Sequence, residues 1–303
     1  MTTSNSMSGA KHLLCPLCLA KQVQQPLLTL SEDLRSLACE QKHSFDIAKQ
    51  GYVNLLPVQQ KKSQHPGDSK EMVLARKQFL GLGYYQPLVD ALVSSTQQHL
   101  SSITSPVILD AGCGEGYYTD NLHRALAESN DELTAYGFDI AKPAVLEAAK
   151  RNRSICFFVS TIKAVPIAPH SCDVIISIFS PINTEQFQHM LKPGGKLIVL
   201  CAGKNHLHQL KSLLYTSTAD YDDDKFLAPL DSHFTLSERS SIQHTMNLTS
   251  QHDIMSLLAM TPHFWRASPE AKQQLETINQ LLVDIDVQRM IFTPKTLEQT
   301  EHE

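Results

Sequence analysis

Five short apolar runs, separated by segments of helical periodicity, fill the middle of the chain. The runs lie at residues 107–110, 134–138, 155–159, 173–178 and 196–201, with helices predicted at 117–128 and 143–151. Continuously apolar strands that alternate with helices are typical of a doubly wound sheet of parallel strands. The pattern therefore predicts an α/β domain over residues 106–293.

Further elements are predicted on both sides of these runs. Asp68 or Ser69 should cap a helix that reaches Leu80, and a second helix should run from Leu88 to Leu100. Towards the carboxyl end, the predicted elements are a helix around 210–214, a strand at 234–248, a helix at 254–260, a turn at 261–266, a helix at 269–282 and a strand at 283–292.

Composition favours one main domain with a smaller one beside it. At 303 residues and 42% hydrophobic content, the chain can bury a substantial core. It has no apolar run of about 18 residues and no signal-like start, so we expect a cytoplasmic protein without a membrane span. Four of its seven cysteines fall in predicted core segments and should be reduced thiols: Cys113, Cys156, Cys172 and Cys201.

Charge is distributed unevenly along the chain. The net charge is −5, which argues against binding nucleic acid with the whole surface. Residues 1–90 hold 10 basic and 7 acidic side chains, whereas the remainder holds 16 basic and 24 acidic ones. A polyanion should therefore meet the N-terminal part first.

Two pairs of metal-ligand residues lie near the N-terminus. Cys15 and Cys18 form a C-x2-C pair, and Cys39 and His43 follow with C-x3-H spacing after twenty residues. This spacing is typical of a tetrahedral zinc held by three thiolates and one imidazole, with a short hairpin between the pairs. A closed four-ligand shell would be structural, and the alternative is four unrelated side chains.

A glycine-rich turn follows the first apolar run of the α/β region. Asp110 ends that run, and Gly112, Gly114 and Gly116 follow at alternate positions before a predicted helix. These glycines allow a flat ligand to lie against the main chain. The D-x-G-x-G-x-G order resembles motif I of class I S-adenosylmethionine-dependent methyltransferases. A dinucleotide fingerprint would be G-x-G-x-x-G, and an ordinary strand–helix turn is the remaining alternative.

A second acidic residue closes the next strand. Asp139 lies 29 positions after Asp110, where a carboxylate can accept hydrogen bonds from both hydroxyls of a ribose. The alternative role is that of a helix cap. Two strands after the five parallel ones also fit a methyltransferase sheet better than a dinucleotide-binding sheet.

Basic residues gather between the two predicted domains. Lys61, Lys62, Arg76 and Lys77 could contact phosphates of an RNA, although a group this small is often only a solvated face. The predicted organisation is a disordered tail at 1–10, a zinc-ribbon RNA-binding domain at 11–58, a linker with helices at 59–105, a methyltransferase domain at 106–293 and a disordered tail at 294–303.

Together these segments resemble the 23S ribosomal RNA guanine-N1 methyltransferases, the RlmA (RrmA) family, over roughly residues 13–292. The resemblance is carried by the four metal-ligand residues and by segments 51–59, 66–69, 110–118 and 260–266. It implies a zinc ribbon on a Rossmann-like methyltransferase domain, a commonly dimeric state, and a guanine in a domain II hairpin of 23S rRNA as substrate.

The resemblance also implies several site residues. Contacts to S-adenosylmethionine would fall on Tyr85, Gly114, Glu115 and His206, although Tyr85 could equally be packing. The chain departs from the family at Ser180, where the family has alanine, and in its longer acidic tail.

Guanine N1 carries a proton at neutral pH, so methylation needs a base or a stabiliser of the deprotonated ring. The segment after the fourth strand offers Phe179 to stack on a flipped-out guanine and Ser180 to bond its edge. No evident base lies there. Phe179 could be plain core, and His206 is a further base candidate. The alternatives to the whole interpretation are a methyltransferase of tRNA or of a small molecule, and a non-catalytic zinc-ribbon RNA-binding protein.

Overall fold

The chain begins with a short helix that packs against the main sheet. The structure is a computed structural model that describes residues 6–60, 63, 66–215 and 223–295. Ser6–His12 forms a 3-10 helix, and Met7 is buried with its sulfur 3.4 Å from Cys156 Sγ. The prediction of a disordered tail is therefore wrong for residues 6–10, because Met7 and Ala10 enter the core. Residues 1–5 and 296–303 lie outside the described residues.

The ribbon consists of one short helix and a small antiparallel sheet. Helix α1 (Pro16–Leu19) follows Cys15, and strands β1 (Thr29–Leu30), β2 (Ser36–Ala38) and β3 (Ser44–Asp46) pair in sequence order. The turn between β2 and β3 holds Cys39 and His43. Each strand has only two or three residues, so this unit has little core of its own.

The second sheet has eight strands and carries helices on both faces. Its elements are β4 (Tyr52–Asn54), α2 (Lys70–Leu80), α3 (Gln86–Leu100), β5 (Val107–Ala111), α4 (Tyr117–Ala127), β6 (Thr134–Asp139), α5 (Lys142–Arg151), β7 (Cys156–Val159), β8 (Cys172–Ile178), α6 (Thr184–Met190), β9 (Leu191–Ala202), α7 (His208–Leu214), α8 (Asp223–Asp231), β10 (Phe234–Leu248), α9 (Gln251–Ala259), α10 (His263–Arg266), α11 (Pro269–Glu276) and β11 (Leu281–Pro294).

The strand order is β10-β11-β9-β8-β5-β6-β7-β4. Strands β4 to β9 run parallel to one another, and β11 lies antiparallel between β9 and β10. The predicted α/β fold, with five parallel strands followed by two more, is confirmed. The order reverses between β6 and β8 on either side of β5, and ligands of such sheets bind in the crevice at this switch point.

Strand β4 differs from the expectation that residues up to 58 belong to the ribbon. Tyr52–Asn54 pairs with β7 of the large sheet, with Val53 opposite Phe158. Val53 is fully buried in a core that also contains Leu37 of the ribbon and Val107 of β5. The ribbon therefore shares a continuous core with one face of the large sheet.

The caps and ends of the predicted helices fall close to the sequence signals. Ser69 Oγ accepts a hydrogen bond from the Met72 amide and begins α2. The predicted helix at 269–282 is shorter, because Leu281 and Leu282 pair with Leu248 and Asn247 of β10. The predicted turn at 261–266 contains α10. Among the described residues, no helix is long and apolar enough to cross a membrane.

Candidate active site and metal centre

A cavity of about 1260 Å³ opens at the carboxyl ends of β5, β6, β8 and β9. Its wall brings together all seven residues expected to contact the cofactor, and Phe179, Ser180 and Arg76 line it as well. The seven are Tyr85, Asp110, Gly112, Gly114, Glu115, Asp139 and His206.

The glycine turn forms one wall of this cavity. Gly112, Gly114 and Gly116 have φ values of +83°, +55° and +81°, which favour glycine. A Cβ atom on Gly112 would lie 2.0 Å from Ser180 Oγ. The turn after β5 and the loop after β8 therefore approach each other as closely as a glycine permits.

Asp110 has an unused acceptor at this turn. Its side chain is 2% exposed, and Oδ2 accepts a hydrogen bond of 2.5 Å from Thr119 Oγ1. Oδ1 is buried without a partner among the described residues. Burial raises the pKa of Asp110 to about 7. A cationic or hydrogen-bonding ligand group would satisfy Oδ1 and favour the ionised carboxylate.

Asp139 is held by two backbone amides. Gly114 N–H donates to Oδ2 across 3.0 Å, and Ala141 N–H donates to Oδ1 across 2.8 Å. This arrangement fixes the orientation of the carboxylate, and each oxygen keeps a further lone pair for a ligand hydroxyl. Asp139 therefore orients its carboxylate at the position expected to bind a ribose, and it is not the cap of α5, whose N-cap is Ala141.

Glu115 lies on the same wall with its charge already paired. Its carboxylate is 1% exposed and lies 2.6 Å from Arg151 Nη2. Burial raises the pKa of Glu115, while Arg151 opposes that increase. Sequence reasoning did not identify Arg151, because nothing in its own segment signals a partner 36 positions earlier.

Three rings meet on the wall opposite the glycine turn. Phe179 stacks on His206 with ring centroids 5.4 Å apart and an interplanar angle of 27°. Tyr85 is buried, and its ring lies edge-on to both, 6.5 Å from each. Phe179 is 45% exposed and has φ +49°, a conformation in which L-residues are strained and which concentrates at functional sites.

His206 is a neutral donor rather than a base. The Asp286 amide donates to Nδ1 across 3.4 Å, which leaves the hydrogen on Nε2. Burial lowers the pKa of His206 to about 3, with a smaller contribution from Lys211. Both observations argue against His206 as the acceptor of a proton.

Two further polar residues line the cavity beside His206. They are Lys211 of α7 and His263 of α10, whose Nδ1 lies 3.0 Å from Tyr215 Oη. Sequence reasoning missed both, because their meeting depends on how α7 and α10 pack. The one available signal was the aromatic and polar run at 261–266, which contains His263.

The four residues expected to bind RNA do not form one surface group among the described residues. Arg76 forms an ion pair of 2.6 Å with Asp68 and donates to the Met260 carbonyl, so it belongs to the cavity wall. Lys77 pairs with Glu147 at 2.7 Å. Lys61 and Lys62 lie outside the described residues.

The four predicted metal ligands converge within the ribbon. The Sγ atoms of Cys15, Cys18 and Cys39 lie 3.4, 3.3 and 3.5 Å from His43 Nδ1, and all four ligand atoms lie within 4.8 Å of one another. A zinc ion with ordinary Zn–S and Zn–N bonds has ligand–ligand separations of about 3.5 to 3.8 Å. The donor set and its spacing therefore fit one tetrahedral zinc bound through Nδ1.

Two segments of the chain match known protein families. A family profile described as "RlmA, N-terminal" matches residues 13–64, and one described as "Methyltransferase domain" matches residues 108–195. A Micromonospora griseorubida protein, provisionally named 23S rRNA (guanine-N(1)-)-methyltransferase, is 31% identical over 85% of this chain and 88% of its own length.

The chain belongs to the 23S rRNA guanine-N1 methyltransferase family. The Streptomyces fradiae 23S rRNA (guanine(748)-N(1))-methyltransferase is 29% identical over 86% of this chain and 88% of its own length. A solved structure from Bacillus halodurans C-125, described as a methyltransferase, is 12% identical with a TM-score of 0.45, and it covers 67% of this chain and 99% of its own. That likeness is too distant to add to the assignment.

Membership of this family identifies the chain as a methyltransferase and implies two bound groups. The enzyme is an S-adenosylmethionine-dependent rRNA (guanine-N1)-methyltransferase with a structural zinc. The cavity fits the first group, because it has an exposed backbone turn, a buried orphan oxygen on Asp110 and an oriented carboxylate on Asp139. The Cys3His cluster fits the second.

Proposed function

We propose that this chain methylates N1 of one guanine in a domain II hairpin of 23S rRNA. The observation that carries this proposal is the composition of the cavity. One wall has a glycine turn with two acids, and the other has a strained, exposed Phe179. The first wall can bind a cofactor through its polar groups, and the second can stack on a base that has left its helix.

The glycine wall would hold the cofactor through this chain's own polar atoms. Asp139 would accept the ribose hydroxyls, and Asp110 Oδ1 would take a cationic or donor group of the methionine part. S-adenosylmethionine, when bound, supplies an electrophilic methyl group on a sulfonium sulfur. The enzyme's main task is then to hold the guanine edge in line with that group.

The aromatic wall would hold the guanine. Phe179 would stack on the base. The Phe179 ring is held in position because it packs on His206. The Nε2–H of His206 is a neutral donor that could bond the guanine O6 atom, and Ser180 Oγ lies where the two walls meet. A donor at O6 would stabilise the ring as N1 loses its proton.

The ribbon would bind the RNA by shape and phosphate contacts. It lies within the first 90 residues, which together carry an excess of basic side chains, and relatives of this chain are named for an RNA substrate. Family resemblance supports a homodimer, and ribosomal RNA as substrate supports a cytoplasmic location.

The proposal is tested with a transcript of the domain II hairpin and purified enzyme. We expect one strong stop in primer extension after methylation, because a methyl group on N1 blocks base pairing. Replacing that guanine by adenine should abolish methyl incorporation, while replacing a neighbouring guanine should leave it unchanged. Incorporation that survives every single-guanine replacement would contradict a unique target.

A further inference from the structure

A lysine beside the aromatic wall has no use in the scheme above. Lys211 lies on α7, lines the cavity and is half-buried. Among the described residues, no carboxylate forms an ion pair with it and no side chain accepts a hydrogen bond from its amine. A half-buried ammonium without a counter-ion is unfavourable. Titratable groups of this kind that line a cavity are candidates for functional residues.

The surroundings of Lys211 favour its neutral form. Burial alone lowers the pKa of its amine. His206 and His263 line the same cavity, and the charge of Lys211 lowers the pKa of both, so a protonated Lys211 has basic neighbours rather than a counter-ion. Lysine amines in such places serve as bases in catalysis.

The carboxylates near α7 already accept hydrogen bonds from other residues, and the other charged groups there are cations. On β11, Asp284 accepts hydrogen bonds from Gln209 and Thr245, and Asp286 accepts from the Asn205 amide and from Ser241 and Gln243. On α11, Lys272 lies over the Phe264 ring. On α10, Arg266 is exposed and adds a positive charge. Tyr215 pairs with His263.

We propose that Lys211 is the proton acceptor for guanine N1. This inference rests on the proposed reaction at that atom. The N1–H bond breaks and its proton moves to the neutral amine of Lys211. The N1 electron pair forms the bond to the methyl carbon, while the carbon–sulfur bond breaks and sulfur keeps its electrons. Lys211 leaves the step as an ammonium group and returns the proton to solvent.

His263 is the competing candidate on the same wall. Its Nδ1 is shared with Tyr215 Oη, so one ring nitrogen is already committed and the free one is a donor or an acceptor according to the direction of that bond. The amine of Lys211 has no competing partner among the described residues, and it is the group that burial brings towards neutrality.

The test compares Lys211→Met and Lys211→Arg with the wild-type enzyme in single-turnover methylation of the hairpin. Exposed Lys204, in the loop before α7, supplies the control Lys204→Met. We expect both Lys211 variants to be slower by roughly 100-fold or more, because general-base catalysis contributes about that much and a guanidinium does not release its proton. The control should match the wild type, and affinities for S-adenosylmethionine and RNA should be unchanged in all.

Added primary amines provide a readout that a structural role would not move. At constant pH, the rate of Lys211→Met should rise with the concentration of neutral amine, and the wild-type rate should rise with pH through the pKa of Lys211. A wild-type-like rate in Lys211→Arg, a failure of amines to rescue Lys211→Met, or a lost affinity for either ligand would overturn the assignment. If the wild-type enzyme forms no 1-methylguanosine, the proposed function itself fails.

Discussion

Single residues decide how closely the two walls of the cavity approach. Gly112 faces Ser180 at a distance that leaves no room for a side chain, and Asp110 presents an unpaired oxygen beside it. Phe179 holds a strained backbone on the opposite wall. These features are those expected of a binding site for a cofactor and a base.

The crowding at Gly112 gives a first prediction. Gly112→Ala should lose affinity for S-adenosylmethionine, because its Cβ displaces Ser180 and changes the turn. Gly194→Ala is the matched control, since Gly194 has nearly the same φ of +80° but no neighbour within 4 Å. Backbone strain alone should cost each variant about 1–2 kcal/mol of stability, and the contact with Ser180 adds to this loss only in Gly112→Ala. Equal affinity in the two variants, measured by calorimetry, would contradict the role given to the turn.

The buried carboxyl of Asp110 gives a prediction about pH. Its pKa is raised to about 7, so the folded protein holds this proton more tightly than the unfolded chain does. Stability should fall as pH rises from about 4 to 7 and then level off. Asp110→Asn keeps an acceptor for Thr119 but does not titrate. The decrease in stability over this pH range should therefore be smaller in the variant than in the wild type, by roughly 1 to 4 kcal/mol.

The measurement is the melting temperature of wild type and Asp110→Asn across that pH range. Asp139 and Glu115 also have raised pKa values, so the variant should weaken the dependence without abolishing it. Parallel curves for the two proteins would show that Asp110 is not the group that titrates. The variant should also bind S-adenosylmethionine more weakly.

At the scale of elements, the ribbon is stabilised by a metal and by a shared core. Its strands have two or three residues, and Leu37 is buried in the same cluster as Val53 and Val107. We therefore expect zinc to order a segment that packs on one face of the sheet and leads into β4. Loss of the metal should expose part of that face.

Removal of the zinc is a direct test of this dependence. Cys39→Ser, or treatment with a chelator, should release the metal and lower the melting temperature, because ribbons of this size fold with their metal. The wild type and the control Cys201→Ser should each hold one zinc per chain by elemental analysis. An unchanged melting temperature in the metal-free protein would mean that the shared core alone orders the ribbon.

Elements whose pattern is contained in their own segment could be predicted from the sequence. Val107–Ala111 is buried at every position, as the apolar run that leads to Asp110 indicates. Strand β4 could not be predicted, because three residues show no period and its partner β7 lies about a hundred residues later. Lys211 and His263 could not be predicted either, because they meet only through the packing of distant elements. Asp110 and Asp139 could be predicted, because their spacing belongs to a recognisable motif.

At the scale of the whole molecule, charge distinguishes a basic N-terminal part from an acidic remainder. The N-terminal 90 residues carry a net charge of +3 and the remainder −8. Lys61 and Lys62, which lie outside the described residues, belong to the first part. This distribution favours an approach of RNA from the N-terminal part of the chain.

The lysine pair allows that approach to be measured. Lys61→Ala with Lys62→Ala should weaken RNA binding and reduce the slope of log affinity against log salt by roughly 1 to 2, since each phosphate contact contributes about 0.7 to 0.9. Exposed Lys142 and Lys204 serve as a control pair of equal charge, and their replacement should leave the slope unchanged. Identical slopes for the two double variants would remove the loop from the interface.

The central claim is tested most directly by the identity of the methylated nucleoside. Labelled S-adenosylmethionine is incubated with the enzyme and unmodified large-subunit RNA, and the product is digested and analysed by mass spectrometry. We predict that the label appears as 1-methylguanosine in 23S rRNA and that transfer RNA remains unlabelled. Label in another nucleoside, or in transfer RNA alone, would contradict the account.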